Sequence, residues 1–249
     1  MSNILASTST NFWQNIINAF NLIFSSSYDS YYHKKLYESL EETFQMVFIS
    51  GIFSLVIGIL IGVLLTLFKK GGLKENKVLY SILSTIINIL RSIPFIILSV
   101  LLVPLTRKMV GTSIGVTGSI VPLIFGTVPF FSRQIETALS SVEEGKIEAA
   151  RACGSSTIGI VFRVYLHEAV PQIIRGTTIT AISLIGITAI AGATLGAGGL
   201  GDLAVNFGNA LNRQDIIIAC VIFLLIIVSL IQLIGTLFAR LTTNRKIIG

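Results

Sequence analysis

Residues 44–68 read FQMVFISGIFSLVIGILIGVLLTLF and are followed at once by Lys69 and Lys70. The stretch is 25 residues long and carries no charge. A bilayer core of about 30 Å is crossed by about 20 apolar residues in a helix, so the stretch is long enough to span. In lipid each backbone N–H and C=O must be satisfied internally, which makes such a segment helical. This reading decides the fold class: an all-α integral membrane protein.

The remaining sequence has the same character. Of 249 residues, 53% are hydrophobic and 12% charged, with a mean hydropathy of +0.84. Soluble domains carry about 25% charged residues. The deficit excludes a disordered chain, a collagen-like repeat and a nucleic-acid module with a basic face, and it argues against a soluble enzyme. Four more spans follow at about 78–104, 113–131, 173–195 and 216–238, making five with 44–68. The second is interrupted by Arg91 and can kink at Pro94; the third carries Pro122 and Pro129. Membrane helices tolerate Pro where neighbours re-satisfy the freed carbonyls.

The first 40 residues form an extension before the main domain, 41–240, and residues 241–249 form a tail. Residues 1–11 carry no Lys or Arg, so the basic region of a secretory signal is missing. Phe12, Trp13, Ile16, Ile17, Phe20 and Ile23 recur at helical spacing, which predicts an amphipathic helix in the membrane interface over 12–24.

Charge orients the spans. One side holds twelve basic residues: Lys69, Lys70, Lys74, Lys77, Arg133, Lys146, Arg151, Arg163, Arg175, Arg240, Arg245 and Lys246. The other holds five: Lys34, Lys35, Arg107, Lys108 and Arg213. Basic loops stay in the cytoplasm, so the first side is inside. The N-terminus is then outside and the C-terminus cytoplasmic, as five spans require.

The longest segment between spans, about 132–172, lies on the predicted cytoplasmic side. Ile135 to Gly154 is rich in Ala, Glu, Ser and Lys, which favours a helical platform over disorder. Within it Glu148-Ala149-Ala150 is followed after three residues by Gly154 and after nine more by Val164-Tyr165-Leu166. This resembles the EAA loop of ABC-importer permeases, whose pattern is EAA, three residues, Gly, nine residues, then Ile-x-Leu-Pro. His167 stands where the family has Pro, with Pro171 following, so the family's helix break is not specified there. Two small alanines permit close approach of a partner surface. Glu148 can place a charge near a helix start or pair with a basic partner residue. Gly154 can end the helix in a left-handed conformation. Taken alone, Glu-Ala-Ala is only helix-favouring composition; the full spacing makes the resemblance.

A narrower resemblance begins near residue 40. Asn88 to Leu98, with Arg91-Ser92-Ile93-Pro94-Phe95 at its centre, is similar to the second span of methionine-importer permeases. Pro104 to Arg107, Gly111-Thr112-Ser113-Ile114-Gly115 and Ile120 to Leu123 continue the likeness. Gly196 to Gly201 is shared with osmoprotectant permeases and discriminates poorly. The resemblance implies the transmembrane permease subunit of an ATP-driven importer for methionine, in the plasma membrane. It implies a homodimer, two ATPase subunits that hold the ATP and Mg, and an extracytoplasmic binding protein or lipoprotein. The docking residues it implies are Glu148, Ala149, Ala150, Gly154, Val164 and Leu166. Another small solute, such as glycine betaine or a different amino acid, is the alternative within the class. An ion-coupled carrier or channel is the alternative outside it, and the spans lack the acidic residues that ion coupling often uses.

Other motifs weigh less. Gly196, Gly198 and Gly201 fit G-x-G-x-x-G, but no strand precedes them, so they read as a helix end or a close backbone approach. No G-x-x-x-x-G-K-[ST] loop occurs, so this chain does not hydrolyse ATP by that route. Gly58 with Gly62, and Gly192 with Gly196, are helix-contact spacings, within the chain first and at a dimer face second. Arg91 is either a cation in the transport pathway or a partner that fixes the kink at Pro94; a charge near mid-bilayer costs at least about 2.5 kcal/mol. Glu136, Glu143, Glu144 and Glu168 read as solvated loop carboxylates. Cys153, Cys220, His33 and His167 match no metal spacing, and the expected metal, cofactor and nucleic-acid contacts of this chain are none.

Overall fold

The computed structural model describes the backbone of residues 2–248 and the side chains of residues 12–243. Among the described residues all regular structure is helical. The order is α1 Ser2–Phe24, α2 Ser30–Phe68, α3 Lys77–Ser92, α4 Phe95–Leu101, α5 Val103–Val110, α6 Gly115–Ser140 and α7 Glu144–Ala152. Then come α8 Thr157–Ile160 with a π-helical turn Val161–Leu166, α9 Val170–Leu195, α10 Gly199–Asp202 with a π-helical turn Leu203–Asn209, and α11 Gln214–Ile248.

Four helices are long and apolar enough to cross a membrane: α2, α6, α9 and α11 over Gln214–Thr243. The fifth expected span is a bent pair, α3 and α4, broken by 104°. The break falls at the expected proline. Ile93 before Pro94 is extended, at φ −81° and ψ 123°, because the proline ring disfavours a helical residue ahead of it. The Pro94 carbonyl then accepts from Ile97 and Leu98 to start α4. The chain is thus an all-α integral membrane protein.

The helix bounds differ from the expected spans in two places. The α6 helix runs on to Ser140, past Arg133 and Glu136, which the sequence reading put in the loop. The two charges neutralise each other at 2.6 Å, so the helix need not stop for them. The loop therefore shortens to 141–169. The N-terminal helix begins well before Phe12, and Ile23 lies on its buried side with Ala19 and Leu22. Phe12, Trp13, Ile17, Phe20 and Phe24 stay exposed, so the aromatic face is there but Ile23 is not part of it.

The residues divide into two compact units: 1–49, 99–123 and 185–229 in the first, and 50–98, 124–184 and 230–249 in the second. In the first, Asp29 starts α2 by accepting the Tyr32 N–H. Arg213 joins Asp29 at 3.2 Å and Asp215 at 2.7 Å and lies over the Tyr32 ring. The hydrogen bonds from Arg213 to Asp215, then to Asp29, raise its pKa further above the ordinary guanidinium value. The glycine-rich segment behaves as a backbone junction. Gly192 meets the Gly198 carbonyl, and Gly201 packs on the backbone of Ala189, so neither has room for a side chain.

In the second unit α2 packs on α6 through Gly58 and Gly62. A Cβ at Gly58 would come to 2.5 Å from the Phe131 ring, and one at Gly62 to 2.5 Å from Ile135. The small-residue spacing in α2 is therefore a contact within the chain. Arg133 on α6 also reaches α3, donating to Ser84 Oγ at 2.5 Å and Asn88 Oδ1 at 3.0 Å, while Tyr80 donates to Glu136 at 3.0 Å. Polar side chains thus stitch α3 to α6.

Candidate functional site

The loop between α6 and α9 is built on an apolar floor. Phe131, Ile135, Ala138 and Leu139 of α6 form a buried cluster with Ile160, Val161, Tyr165 and Ala169. Against it pack Ile59, Val63 and Leu67 of α2, and Ile147, Ala150, Val164 and Leu166 of the loop. Apolar contact removed from water, at about 25 cal/mol per Å², holds the loop in place.

The α7 helix ends in a Schellman turn. Gly154 sits at φ +76°, its N–H donates to the Arg151 carbonyl at 2.9 Å, and the Ser155 N–H donates to the Ala150 carbonyl at 3.1 Å. These are the two reversed bonds that satisfy a helix's last carbonyls. An L side chain is strained at that φ even though nothing lies within 4 Å of where a Cβ would sit. Ser156 then caps α8, its hydroxyl accepting the Gly159 N–H at 3.2 Å. The result is helix, sharp turn, helix, as the spacing predicts.

The six sequence-chosen residues come together in this loop but do not all face the same way. Glu148, Ala149 and Gly154 are exposed. Ala150, Val164 and Leu166 pack on the apolar floor and support the surface rather than form it. Only one of the two paired alanines is therefore presented outward. The chain does not break at His167, which is helical at φ −66° and ψ −46°. Without the family's proline nothing removes an N–H there, and Pro171 sits at the second position of α9, where a helix tolerates it.

Two outward residues escaped the sequence reading. Ile158 is 71% exposed and Phe162 65%, four residues apart and beyond the spans. Their helical spacing was the available signal, masked by the apolar residues around them. Beside α7 opens a cleft of about 240 Å³ lined by Lys69, Lys70, Glu144, Glu148, Arg151 and Tyr165 among others. Lys69 donates to Ser140 at 2.7 Å. Lys146 pairs with Glu168 at 2.8 Å, which raises the Lys146 pKa and ties α7 to the start of α9. Burial pushes the Tyr165 phenol up. Glu136 and Glu168 are thus ion-pair partners rather than free surface carboxylates.

Arg91 and Pro94 stand apart from this loop. Arg91 is exposed in the last turn of α3 and makes no hydrogen bond or ion pair among the described residues. The kink falls at Ile93 and Pro94. Among the described residues no group of three or more His, Cys, Asp or Glu could hold a metal ion.

This geometry can be set beside known proteins. Residues 54–247 match the family described as binding-protein-dependent transport system inner membrane component. The chain is 45% identical over 181 residues to the methionine import system permease protein MetP of Bacillus subtilis (strain 168), covering 73% of this chain and 81% of that protein. It is 44% identical over 179 residues to a probable D-methionine transport system permease protein, MetI, of Vibrio cholerae, covering 71% and 78%. Among solved structures, an inward-facing conformation of the MetNI methionine ABC transporter is similar at a TM-score of 0.79. That match has 44% identity and covers 81% of this chain and 93% of the other.

Proposed function

Because the chain belongs to the family of binding-protein-dependent transport system inner membrane components, we propose that it is the permease subunit of an ATP-driven importer whose solute is methionine. One observation carries the reading: identity of 45% to a methionine import permease across four-fifths of that protein's length. The chain does not hydrolyse ATP; a separate subunit does. Family membership removes the ion-coupled carrier from consideration.

The helix–turn–helix of α7, Gly154 and α8 is the surface that receives the ATPase. Its exposed elements suit that role: Glu148 and Ala149 on α7, and Ile158 and Phe162 beyond the turn. Apolar side chains exposed outside the spans mark contact surfaces. Ala150, Val164 and Leu166 hold the loop from beneath, so ATPase movement passes through them to the apolar ends of α2 and α6. Two copies of the chain, two ATPases carrying ATP and Mg, and an extracytoplasmic binding protein complete the importer. Residues 41–240 form the permease domain, with the N-terminus outside and the loop and C-terminus cytoplasmic. Nucleotide drives transport only insofar as it binds one conformation of the assembly better than the other.

The test is uptake of labelled methionine in cells lacking other methionine importers, with and without this gene. Gene-dependent uptake is expected. Uptake of glycine betaine without methionine would move the solute assignment to the osmoprotectant branch.

A further inference from the structure

Between α9 and α11 lies a groove of about 380 Å³ that the docking loop does not use. Its polar lining is Arg175 and Thr178 from α9, and Gln232, Thr236 and Arg240 from α11. Residues three or four apart share one helix face, so each helix turns a polar stripe into the groove. Gly235 makes the approach possible, since a Cβ there would run into the Thr178 side chain. The rest of α11 is different. Leu230, Leu233, Ile234, Leu237 and Leu241 are exposed and apolar, as a lipid-facing surface is.

Arg175, Gln232, Thr236 and Arg240 are all exposed, and none makes a hydrogen bond or ion pair among the described residues. Among the described residues no carboxylate lines the groove. Arginines near helix ends can snorkel to the interface, but both arginines here line the groove between the two helices. Gln232 lies eight residues from Arg240, about 12 Å along the helix, deeper than a lipid headgroup bound at the arginine would reach. A free amide there fits water better than acyl chains.

We propose that this groove is the inward stretch of the solute pathway, where Arg175 and Arg240 draw in the carboxylate of the transported amino acid. The inference rests on the permease reading above. A guanidinium fork matches a carboxylate, and two of them with no acid between them give the groove a positive field. Their exposure keeps the attraction shallow, which lets the solute leave.

Charge-selective thiol labelling tests this in the permease–ATPase complex without nucleotide. In a Cys153→Ser/Cys220→Ala background, Gln232→Cys and Thr236→Cys are each treated with a small anionic and a small cationic methanethiosulfonate. Both sites should react, with the anionic reagent favoured about tenfold over its ratio on free cysteine. Arg175→Gln with Arg240→Gln should return that ratio to the free-cysteine value, and the double Lys variant should keep most of the preference. Millimolar methionine should slow the reaction, and methioninol, which lacks the carboxylate, should not. No reaction at either position, or reaction without charge preference, overturns the proposal. So does reaction that appears only after anionic lipid is withdrawn from the vesicles, which would give the groove to a lipid phosphate. Labelling does not depend on uptake, so a failed groove with intact methionine uptake leaves the permease reading standing.

Discussion

The Glu42 carboxylate accepts the backbone N–H of Gly199 at 2.6 Å, across 157 residues of sequence. Its neighbour Thr43 accepts the next N–H, that of Leu200, at 2.9 Å. Together they cap α10 from α2, where Gly198 and Gly199 have left-handed φ of +78° and +80°. Leaving a buried N–H without an acceptor costs about 1–3 kcal/mol. Glu42→Ala and Thr43→Val should each lower unfolding stability by that amount in detergent, whereas Glu41→Ala, at an exposed site, should stay within about 0.5 kcal/mol. Equal stability for Glu42→Ala and Glu41→Ala would show that the cap does not hold α10.

The turn at Gly154 makes a second prediction. A β-branched residue there must leave φ +76° or bear about 1–2 kcal/mol of strain. Gly154→Val should cut ATPase co-purification about tenfold, the equivalent of 1.4 kcal/mol, with membrane abundance unchanged. Gly154→Asn should retain most of it, because Asn tolerates the left-handed region. Wild-type yield of ATPase with the Val variant would remove the turn from the docking surface.

What the sequence made legible followed from local physics. An uncharged run ending on Lys69 and Lys70 specifies a span, Pro94 specifies a break, and Gly154, with three residues between it and Glu148-Ala149-Ala150, specifies a turn. The missing parts depend on long-range partners. Arg133 and Glu136 read as loop charges because Tyr80, Ser84 and Asn88, which complete their bonding, lie some 50 residues earlier. Pro94 marks where the chain bends, but a proline in the sequence does not state the 104° size of the bend. In the loop the motif specified the turn at Gly154, but periodicity in so short a segment could not say that Ala150, Val164 and Leu166 face inward while Ile158 and Phe162 face out.

The Arg133–Glu136 pair permits a sharper test than a single substitution. Both side chains are mostly buried, at 19% and 12% exposure. Removing one charge strands the other, which costs about 3–5 kcal/mol for a fully buried pair and somewhat less here. Arg133→Met should therefore destabilise by about 2–4 kcal/mol, and Arg133→Met/Glu136→Met should recover much of that loss. A double variant less stable than the single would mean that Glu136 stabilises the fold through its bond from Tyr80 rather than as the arginine's counter-ion.

Arg91 and Pro94 should separate cleanly. Arg91 has no partner among the described residues, so Arg91→Gln should change stability by no more than about 0.5 kcal/mol. Pro94→Ala should lessen the bend and impair transport, since Ile93 then regains access to helical backbone angles. If Arg91→Gln abolishes uptake at unchanged stability, the arginine lies on the solute's route; a large stability loss would instead mean that it fixes the kink.

Orientation can be read from the chain's own thiols. Cys153 is exposed next to Gly154, and Cys220 is buried at 0% exposure, so an impermeant maleimide has one native target. With five spans and the basic residues held inside, the proposed topology expects Cys153 in the cytoplasm. Expressed without its ATPase, so that docking cannot shield the loop, the permease should resist labelling in intact cells and be labelled in inside-out vesicles. Thr112→Cys in a Cys153→Ser background, in the exposed turn after α5, should show the opposite pattern. Labelling of Cys153 from outside intact cells would reverse the topology and move the ATPase-docking surface off this loop. Labelling of both positions from the same side would instead mean that α6, the one long helix between them, does not cross the membrane.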